Sequence, residues 1–412
     1  QPYPALEHVP WNGWSPCDLV FPSFAFILGV AIPYSVSGRK EKKKWQGLSF
    51  FDWMTPILTI VMCLAKILVQ TELFKHAPKP PISGWDLVLP AVLVLSILLP
   101  RLERRGRRGA TGGGGGLALQ VIHHGFLIAA TGFIWGFDPT NPGGFRIPGV
   151  LFRLGLIYLF TGLIVMKTER KVQIGLVAAL LAAYWIIMKY VPVPGCGAGV
   201  LTVECNMAGY IDNLLLKGHL YRPNWDPEGL LHTMPAIATG LLGALAGAHL
   251  KSEKSIPEKL AGLFTVGNLM IFAGLCLNSF FPINKNLWSP SYVIFVAGID
   301  MVILSMCVWF VDFKGMKKAA MPFVGVGTNS IFIYLMSGTI IHYAGMIPGL
   351  FSNGGGGAGG GGGASSGGTI FYKAALSIFS PCNASLAVSL AYVAIWVGIG
   401  ALLYRKRIFF KI

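Results

Sequence analysis

Several histidines and carboxylates lie beside apolar segments of this chain, and such residues could take part in acid–base catalysis. His8 lies ten residues before Asp18, which stands at the mouth of an apolar run. A histidine can act as a general base near neutral pH, and an aspartate can orient an imidazole. The ordinary alternatives are a loop histidine and an aspartate that caps a helix. Position alone leaves both interpretations open.

A second polar stretch precedes another apolar run. Asp226 and Glu228 come directly before it, and His232 lies just inside it. Carboxylates are favourable at a helix N-terminus for the dipole alone, which is the structural alternative to ligand binding. An ionisable group that enters a membrane is a functional candidate by default, so His232 is a candidate site residue.

Three further positions combine polar side chains with apolar surroundings. Asn284 and Lys285 lie in a polar turn before Trp288. This turn could contact a sugar or a carboxylate, or it could simply end a helix beside an interfacial tryptophan. Arg153 and Asn329 lie inside apolar runs, where a polar group needs a partner. Arg153 could contact a phosphate or carbonyl group, or it could be a buried pair or a snorkelling arginine.

Metal and nucleotide motifs are not evident in the sequence. His123 and His124 are adjacent, but no third ligand lies nearby in the sequence, so no metal site is predicted. Nothing in the sequence looks like a P-loop, a Rossmann glycine fingerprint, a GxSxG elbow or an HExxH motif, because the glycine tracts are homopolymeric and follow no predicted strand.

The composition defines the surroundings in which these residues must work. The chain has 412 residues, of which 54% are hydrophobic and only 12% are charged. Soluble domains carry about 25% charged residues, and a soluble fold cannot bury so much apolar surface. The composition therefore excludes a soluble enzyme, a disordered protein and a nucleic-acid-binding domain.

Long apolar runs predict a polytopic transmembrane helix bundle of the all-α class. A spanning helix needs about 20 mostly apolar residues. About eleven runs qualify or nearly do, and we expect residues 1–412 to form a single integral membrane domain. The segment 369–381 is too short to span and is typical of an interfacial or re-entrant piece. The predicted spans are 18–37, 52–70, 86–100, 118–136, 150–166, 173–191, 229–250, 259–281, 291–311, 320–345 and 384–404.

Basic residues predict the orientation of these spans. Alternate loops and the C-terminal tail hold most of the 33 lysines and arginines, which is the positive-inside pattern. The tail should therefore be cytoplasmic, and both the His8 loop and the loop 192–228 extracytoplasmic. The net charge of +16 is then a sign of topology and not of nucleic-acid binding. Cys196 and Cys205 could form a disulfide if their loop is extracytoplasmic.

Glycine tracts and the first residue suggest gaps in the chain. The low-complexity segments 109–116 and 353–368 are expected to be loops. The sequence starts at Gln1 without an initiator methionine, so we expect the N-terminal segment to be incomplete.

Several motifs together resemble a known family. The stretch LEHVPWNG at Leu6–Gly13 leads into DLVFP at Asp18–Pro22, and further blocks follow in the family's order. They resemble the heparan-alpha-glucosaminide N-acetyltransferase-like membrane proteins, especially the bacterial branch. The further blocks are Arg146–Leu151 with Arg153, Val191–Gly195, Gly209–Asp212, Asp226–Leu231, Phe281–Lys285 and Tyr404–Phe409.

The resemblance implies a membrane acyltransferase, an acetyl-CoA-dependent N-acetyltransferase of the bacterial cytoplasmic membrane. Acetyl from cytoplasmic acetyl-CoA, the co-substrate, would reach an amino sugar or glycan at the outer face. The resemblance places the catalytic histidine at His8, as general base or transient acetyl carrier. The implied supporting residues are Asn12 and Asp18 for catalysis, Trp11, Asp226, Glu228, His232, Asn284 and Lys285 for the substrate, and Arg153 and Asn329 for the cofactor.

Two departures keep other functions open. Family members carry another helix before the histidine motif, and residues 51–117 match the family's motifs poorly. A catalytically silent member could instead be a scaffold, or a lipid- or carotenoid-binding subunit of a larger membrane complex. A solute transporter is a second alternative. The assembly is left open between a homodimer and a subunit of a larger membrane complex, and the bilayer is the expected environment.

Overall fold

The fold is all-α in the part of the chain that can be described. The computed structural model describes residues 3–41, 54–57, 59–60, 88–109, 114–135, 146–222, 225–345 and 370–410. Within these ranges the regular secondary structure is helical, and the β contacts are isolated bridges. The all-α prediction is confirmed. The glycine-rich segment 353–368 and most of the predicted span 52–70 lie outside the described residues.

Thirteen α-helices are labelled here in chain order. They are α1 (Pro16–Glu41), α2 (Val88–Gly109), α3 (Gly114–Trp135), α4 (Val150–Lys167), α5 (Arg170–Tyr190), α6 (Met207–Leu216), α7 (Thr233–Leu250), α8 (Ile256–Leu277), α9 (Pro290–Val308), α10 (Lys317–Gly327), α11 (Ser330–Gly345), α12 (Ile370–Leu376) and α13 (Pro381–Arg405). A π-helical turn, Trp309–Phe313, follows α9. α3 begins at Gly114, within the segment 109–116 that was expected to be a loop.

Most of these helices are long and apolar enough to span a membrane. In the described residues, 7 helices are long and apolar enough to cross a bilayer, and up to 8 if one bent pair counts as a single span. These lengths match the roughly 20 residues that a bilayer core requires. The polytopic membrane fold is therefore confirmed, whereas the count of about eleven stays a prediction. The short helix α12 agrees with a segment too short to span.

The described residues form two compact units. The first contains those of Gln1–His8, Ser15–Cys17 and Val308–Lys411, and the second contains Val9–Trp14 and most of Asp18–Cys307. The second unit has a core built from α1, α4, α5, α7 and α9, to which Phe21, Ile157, Leu181, Leu241 and Tyr292 contribute. This unit also holds most of the predicted site residues.

Glycine allows α1 and α7 of the second unit to pack at backbone contact. A Cβ atom on Gly243 would lie 2.0 Å from the carbonyl oxygen of Phe26. One turn further along α7, a Cβ on Gly247 would lie 2.3 Å from the carbonyl oxygen of Val30. Small residues at this spacing are typical of close helix pairs in membranes. The helix that follows the N-terminal motif is thereby held against α7.

The first unit contains a broken helix where one continuous span was predicted. α10 and α11 meet at an angle of 64° instead of forming the single run 320–345. Asn329 lies at the break, where its amide donates to the carbonyl of Ile408 (3.2 Å) and accepts from the N–H of Phe410 (2.8 Å). Asn329 therefore anchors the C-terminal segment. Its cofactor-binding role stays a prediction, and these contacts give it no support.

The loop 192–228 of the second unit is partly ordered by its own covalent bond. Cys196 and Cys205 form a disulfide with a Cα–Cα distance of 6.3 Å. The helix α6 follows, and the side chain of Asn206 caps it by accepting from the N–H of Gly209. The pairing that the sequence left open is therefore present.

Candidate active site

An N-terminal segment of the second unit lies against the turn that follows α8. The N–H of Gly13 donates to the carbonyl of Ile283 at 2.8 Å, and Gly13 has a φ of 102°, which favours glycine. The amide of Asn284 donates to the side-chain oxygen of Asn12 at 3.0 Å. Two predicted site residues that are 272 positions apart in the sequence are thus in contact.

Asp18 is a buried carboxylate that faces a lysine. Its side chain is 1% exposed, and one of its oxygens lies 3.3 Å from the Nζ atom of Lys285. The other oxygen accepts from the N–H of Val9, also at 3.3 Å, and the Tyr292 hydroxyl donates to the backbone carbonyl of Asp18. Asp18 therefore contacts a cation and the N-terminal segment, which goes beyond the cap that the sequence allowed.

His8 directly precedes Val9 in the chain. It is exposed, and it belongs to the first unit, whereas Val9 begins a segment of the second. The catalytic role of His8 stays a prediction from the resemblance.

Trp11 attaches the N-terminal segment to the loop 192–228. Its Nε1 atom donates to the carbonyl of Leu201 at 2.8 Å, and its ring meets that of Trp225 edge to face at 5.4 Å. Both tryptophans remain half-buried. Exposed aromatic surface of this kind can contact a sugar ring, but the structure tests no such contact.

The two acidic residues before α7 are held by Arg146. Its Nε and Nη2 atoms donate to the two oxygens of Asp226 at 2.9 and 2.6 Å, and Nη2 also contacts Glu228. The N–H groups of Tyr221 and Glu228 donate to the same Asp226 carboxylate at 2.7 and 2.9 Å. With four donors on its two oxygens, Asp226 has little capacity left for a substrate. Its contacts hold the backbone of Tyr221 and Glu228 just before α7.

Burial and charge act against each other in this acidic–basic group. Burial alone would lower the pKa of Arg146, but the two carboxylates outweigh it and raise that pKa above its ordinary value. Burial raises the pKa of Glu228, and Arg146 opposes that rise. The group is therefore a desolvated charge network in which losing one partner would leave an unpaired buried charge.

A second set of residues, termed the interior polar cluster, consists of Arg153, Tyr184, Asp212, Gly229 and His232. Arg153 is fully buried on the first turn of α4, and its Nη2 atom donates to the carbonyl of Gly229 at 3.0 Å. Among the described residues, its Nε and Nη1 atoms have no hydrogen-bond partner. A guanidinium with spare donors in a fixed fork suits a carboxylate, phosphate or carbonyl group.

Asp212 supplies an acceptor beside this arginine. Its Oδ1 atom accepts from the N–H of Leu230 at 2.8 Å, and its Oδ2 atom has no hydrogen-bond partner in the described ranges. Burial raises the pKa of Asp212 to about 7, because the charged form loses its hydration. A Cβ on Gly229 would lie 1.8 Å from that Oδ2 atom, so the close approach requires glycine.

His232 and Tyr184 complete the interior polar cluster. His232 is 2% exposed, and neither ring nitrogen makes a hydrogen bond of ordinary geometry to a described residue, although the Asp226 backbone lies nearby. The Tyr184 ring lies 6.3 Å from the His232 ring, and the Tyr184 hydroxyl donates to the carbonyl of Leu287 at 2.5 Å. Unpaired buried polar groups cost about 1–3 kcal/mol each, so a polar ligand or water here would stabilise the protein.

The turn 284–289 joins the interior polar cluster to the Asp18–Lys285 pair. Trp288 of this turn is 1% exposed and lies under the Arg153 guanidinium, with 5.0 Å from Cζ to the ring centroid. Trp288 has a positive φ of 48°, an unfavourable conformation for a bulky residue that is often found at functional sites. The same turn carries Asn284 and Lys285, so one turn contacts both sets of polar residues.

Some of these residues were not among the sequence predictions. Arg146 and Asp212 lie in motifs that carried the resemblance, but nothing in their spacing indicated a pairing with Asp226 or a contact with Gly229. Tyr184 lies inside an apolar run and gave no signal beyond its single hydroxyl.

The fold and this site define an integral membrane protein with a desolvated polar cluster beside the ends of several helices. No family model matches the chain. The chain is 25% identical to human heparan-alpha-glucosaminide N-acetyltransferase over 461 aligned residues, which cover 99% of the chain and 56% of that protein. It is 28% identical to the mouse enzyme of the same name over 442 residues, with the same coverage. The chain spans about half the length of these relatives. The resemblance is confirmed, and the alignments extend through the segment 51–117 as well.

Proposed function

We propose that the chain is a transmembrane N-acetyltransferase that moves acetyl from cytoplasmic acetyl-CoA to an amino sugar at the outer face. The interior polar cluster carries this proposal, because it presents unpaired buried donors and an acceptor in a chain similar to two such enzymes along 99% of its length. Arg153 would bind a carbonyl or phosphate oxygen of the donor. Asp212 and His232 would bind the acceptor.

The proposed reaction is acyl transfer. In the direct form, the acceptor amine attacks the thioester carbonyl, His8 takes the amine proton, and CoA leaves as a thiolate that is then protonated. In the two-step form, a nitrogen of His8 attacks first and CoA leaves, and the amine then displaces the imidazole from the acetyl group. Within the second unit, Lys285 and the Asn12–Asn284 pair would be the donors to an oxyanion, because each is held by a defined contact. Asp18 would keep Lys285 in place.

The orientation is also a proposal. We infer that the loop 192–228 faces the bacterial periplasm or exterior and that the basic tail is cytoplasmic. Alternation of basic loops supports this orientation, and so does the Cys196–Cys205 disulfide, since such bonds persist in oxidising compartments. Asp226 and Glu228, which lie in that loop or at its end, would then be on the acceptor side.

Acetyl transfer in proteoliposomes tests the proposal. Acetyl-labelled CoA is supplied on one side and glucosamine on the other, and acetylated product is measured for wild type, His8→Ala and Arg153→Gln. We expect the first variant to lose turnover and the second to raise KM for acetyl-CoA. His249→Ala is the matched control, because the His249 ring contacts the Lys259 carbonyl and lies at the opposite end of α7 from His232.

The outcomes separate the possible functions. Undiminished turnover in His8→Ala would refute the role of His8. A wild-type chain that transfers no acetyl but retains a bound lipid or carotenoid would favour the silent complex subunit. Solute counterflow that is independent of acetyl-CoA would favour the transporter.

A further inference from the structure

A histidine pair and a glutamate lie together in the second unit, between α2 and α3. The Nδ1 atom of His123 lies 2.5 Å from an Oε atom of Glu103. One ligand atom each from Glu103, His123 and His124 lie within 4.8 Å of one another. The sequence indicated no metal site because no third ligand is close to the two histidines in the chain. Helix packing supplies that ligand from a position 20 residues earlier.

The three side chains of this group are largely withdrawn from solvent. Glu103 is 7% exposed and His123 is 3% exposed, and His124 is half-buried. A carboxylate withdrawn from water needs positive charge close by, because desolvation penalises its ionised form. A protonated His123 would supply one positive charge, and a divalent cation held by all three side chains would supply two.

The hydrogen bond of His124 prepares a ring nitrogen for coordination. Its Nδ1 atom lies 2.7 Å from the carbonyl oxygen of Gln120, one turn earlier on α3. A carbonyl oxygen can only accept, so Nδ1 carries the proton and Nε2 of the neutral ring carries the lone pair. Metal-binding histidines commonly have one nitrogen held in this way by a carbonyl or carboxylate.

We propose that Glu103, His123 and His124 form a binding site for a divalent transition-metal ion of the zinc class, which links α2 to α3. Two imidazoles and one carboxylate are a donor set that zinc uses, with water at the open position. Magnesium and calcium prefer all-oxygen sites. Two ligand atoms at about 2.0–2.2 Å from one tetrahedral zinc ion lie roughly 3.3–3.6 Å apart, between the 2.5 Å His123–Glu103 contact and the 4.8 Å limit of the cluster. The site uses no residue of the proposed acetyl-transfer site.

Zinc binding to the full chain in detergent tests the proposal. The protein is stripped with a chelator, and zinc is titrated in competition with a chromophoric chelator while bound zinc is counted by mass spectrometry. We expect one zinc per wild-type chain and a zinc-dependent rise in Tm. Glu103→Gln and His124→Ala should each weaken zinc affinity at least tenfold, and excess magnesium should not compete. His249→Ala should bind zinc as wild type does, because this histidine lies on α7, outside the cluster.

Two results would overturn the proposal. One is the absence of saturable zinc binding by folded wild-type protein, and the other is zinc affinity that is unchanged in both Glu103→Gln and His124→Ala. Glu103→Gln keeps the size of the side chain, so it remains informative if the histidine variants fold poorly. Cobalt gives an independent measurement, since its absorption spectrum should change between wild type and Glu103→Gln if the carboxylate is a ligand.

Discussion

Asp212 should make the stability of this protein depend on pH near neutrality. Burial raises its pKa from 3.8 to about 7 in the folded chain. The folded state therefore binds this proton more tightly than the unfolded state does. The resulting stabilisation is fully present below pH 4 and is lost as the pH rises to about 7.

The size of the effect follows from the two pKa values. A difference of about three pH units corresponds to about 4 kcal/mol, at about 1.36 kcal/mol for each unit. The contribution of Asp212 should fall by about 1.3 kcal/mol between pH 5 and 6 and by about 1.0 kcal/mol between pH 6 and 7, and well above pH 8 it should be constant. Asp212→Asn keeps an oxygen that can accept from Leu230 but removes the titration. The difference in stability between wild type and variant should therefore move in favour of the variant as the pH rises.

Thermal or denaturant unfolding in detergent at pH 5, 6, 7 and 8 measures this difference. Other titrating groups are shared by the two proteins and cancel in the comparison. Glu169→Gln is the control, because Glu169 is an exposed carboxylate beside the start of α5 and lies outside the interior polar cluster. A wild-type-minus-variant difference that is constant from pH 5 to 8, or that moves in favour of wild type as the pH rises, would refute the reasoning.

Three further outcomes follow from other contacts. Gly243→Ala should destabilise the second unit by about 1–3 kcal/mol, because the added Cβ would lie 2.0 Å from the Phe26 carbonyl oxygen. Gly175→Ala is the control and should be neutral or stabilising, because its Cβ would meet nothing within 4 Å. Equal Tm values for the two variants would contradict this prediction. Cys196→Ser should cost about 2–3 kcal/mol and expose the Cys205 thiol to an impermeant maleimide added outside intact cells; labelling only from the inside would reverse the proposed orientation. Arg146→Ala should lower Tm strongly because it leaves buried carboxylates unpaired, whereas Arg153→Gln should change ligand binding more than Tm, and the opposite pattern would exchange their roles.

Composition and local pattern predicted the features of the fold that depend on residues close together in the sequence. The apolar runs indicated the all-α membrane fold, because each spanning helix satisfies its own backbone and so leaves a local signal. Asp18 and Lys285 were both candidates for the same reason, since a charge beside an apolar run is conspicuous. Their contact was not predictable, because it depends on how α1 packs against the turn after α8.

Long-range packing explains the remaining differences. The run 320–345 has the composition of one span, but Asn329 bonds to the C-terminal segment, and the helix is broken there. Glu103 is separated from His123 by 20 residues and a connecting segment, so only the packing of α2 on α3 brings them together. Neither contact leaves a periodicity or a motif in the sequence.

Hydrogen-bond saturation distinguishes residues that hold this site from residues that could contact a ligand. Asp226 accepts four hydrogen bonds from within the protein, so it is already satisfied, and its contribution is to fix the start of α7. Arg153 and Asp212 are as deeply buried, yet each keeps polar atoms without a partner among the described residues. Folding does not retain such groups for stability, because each one costs free energy until something binds it. The structure therefore divides these buried residues into a scaffold around Arg146 and a candidate contact surface around Arg153.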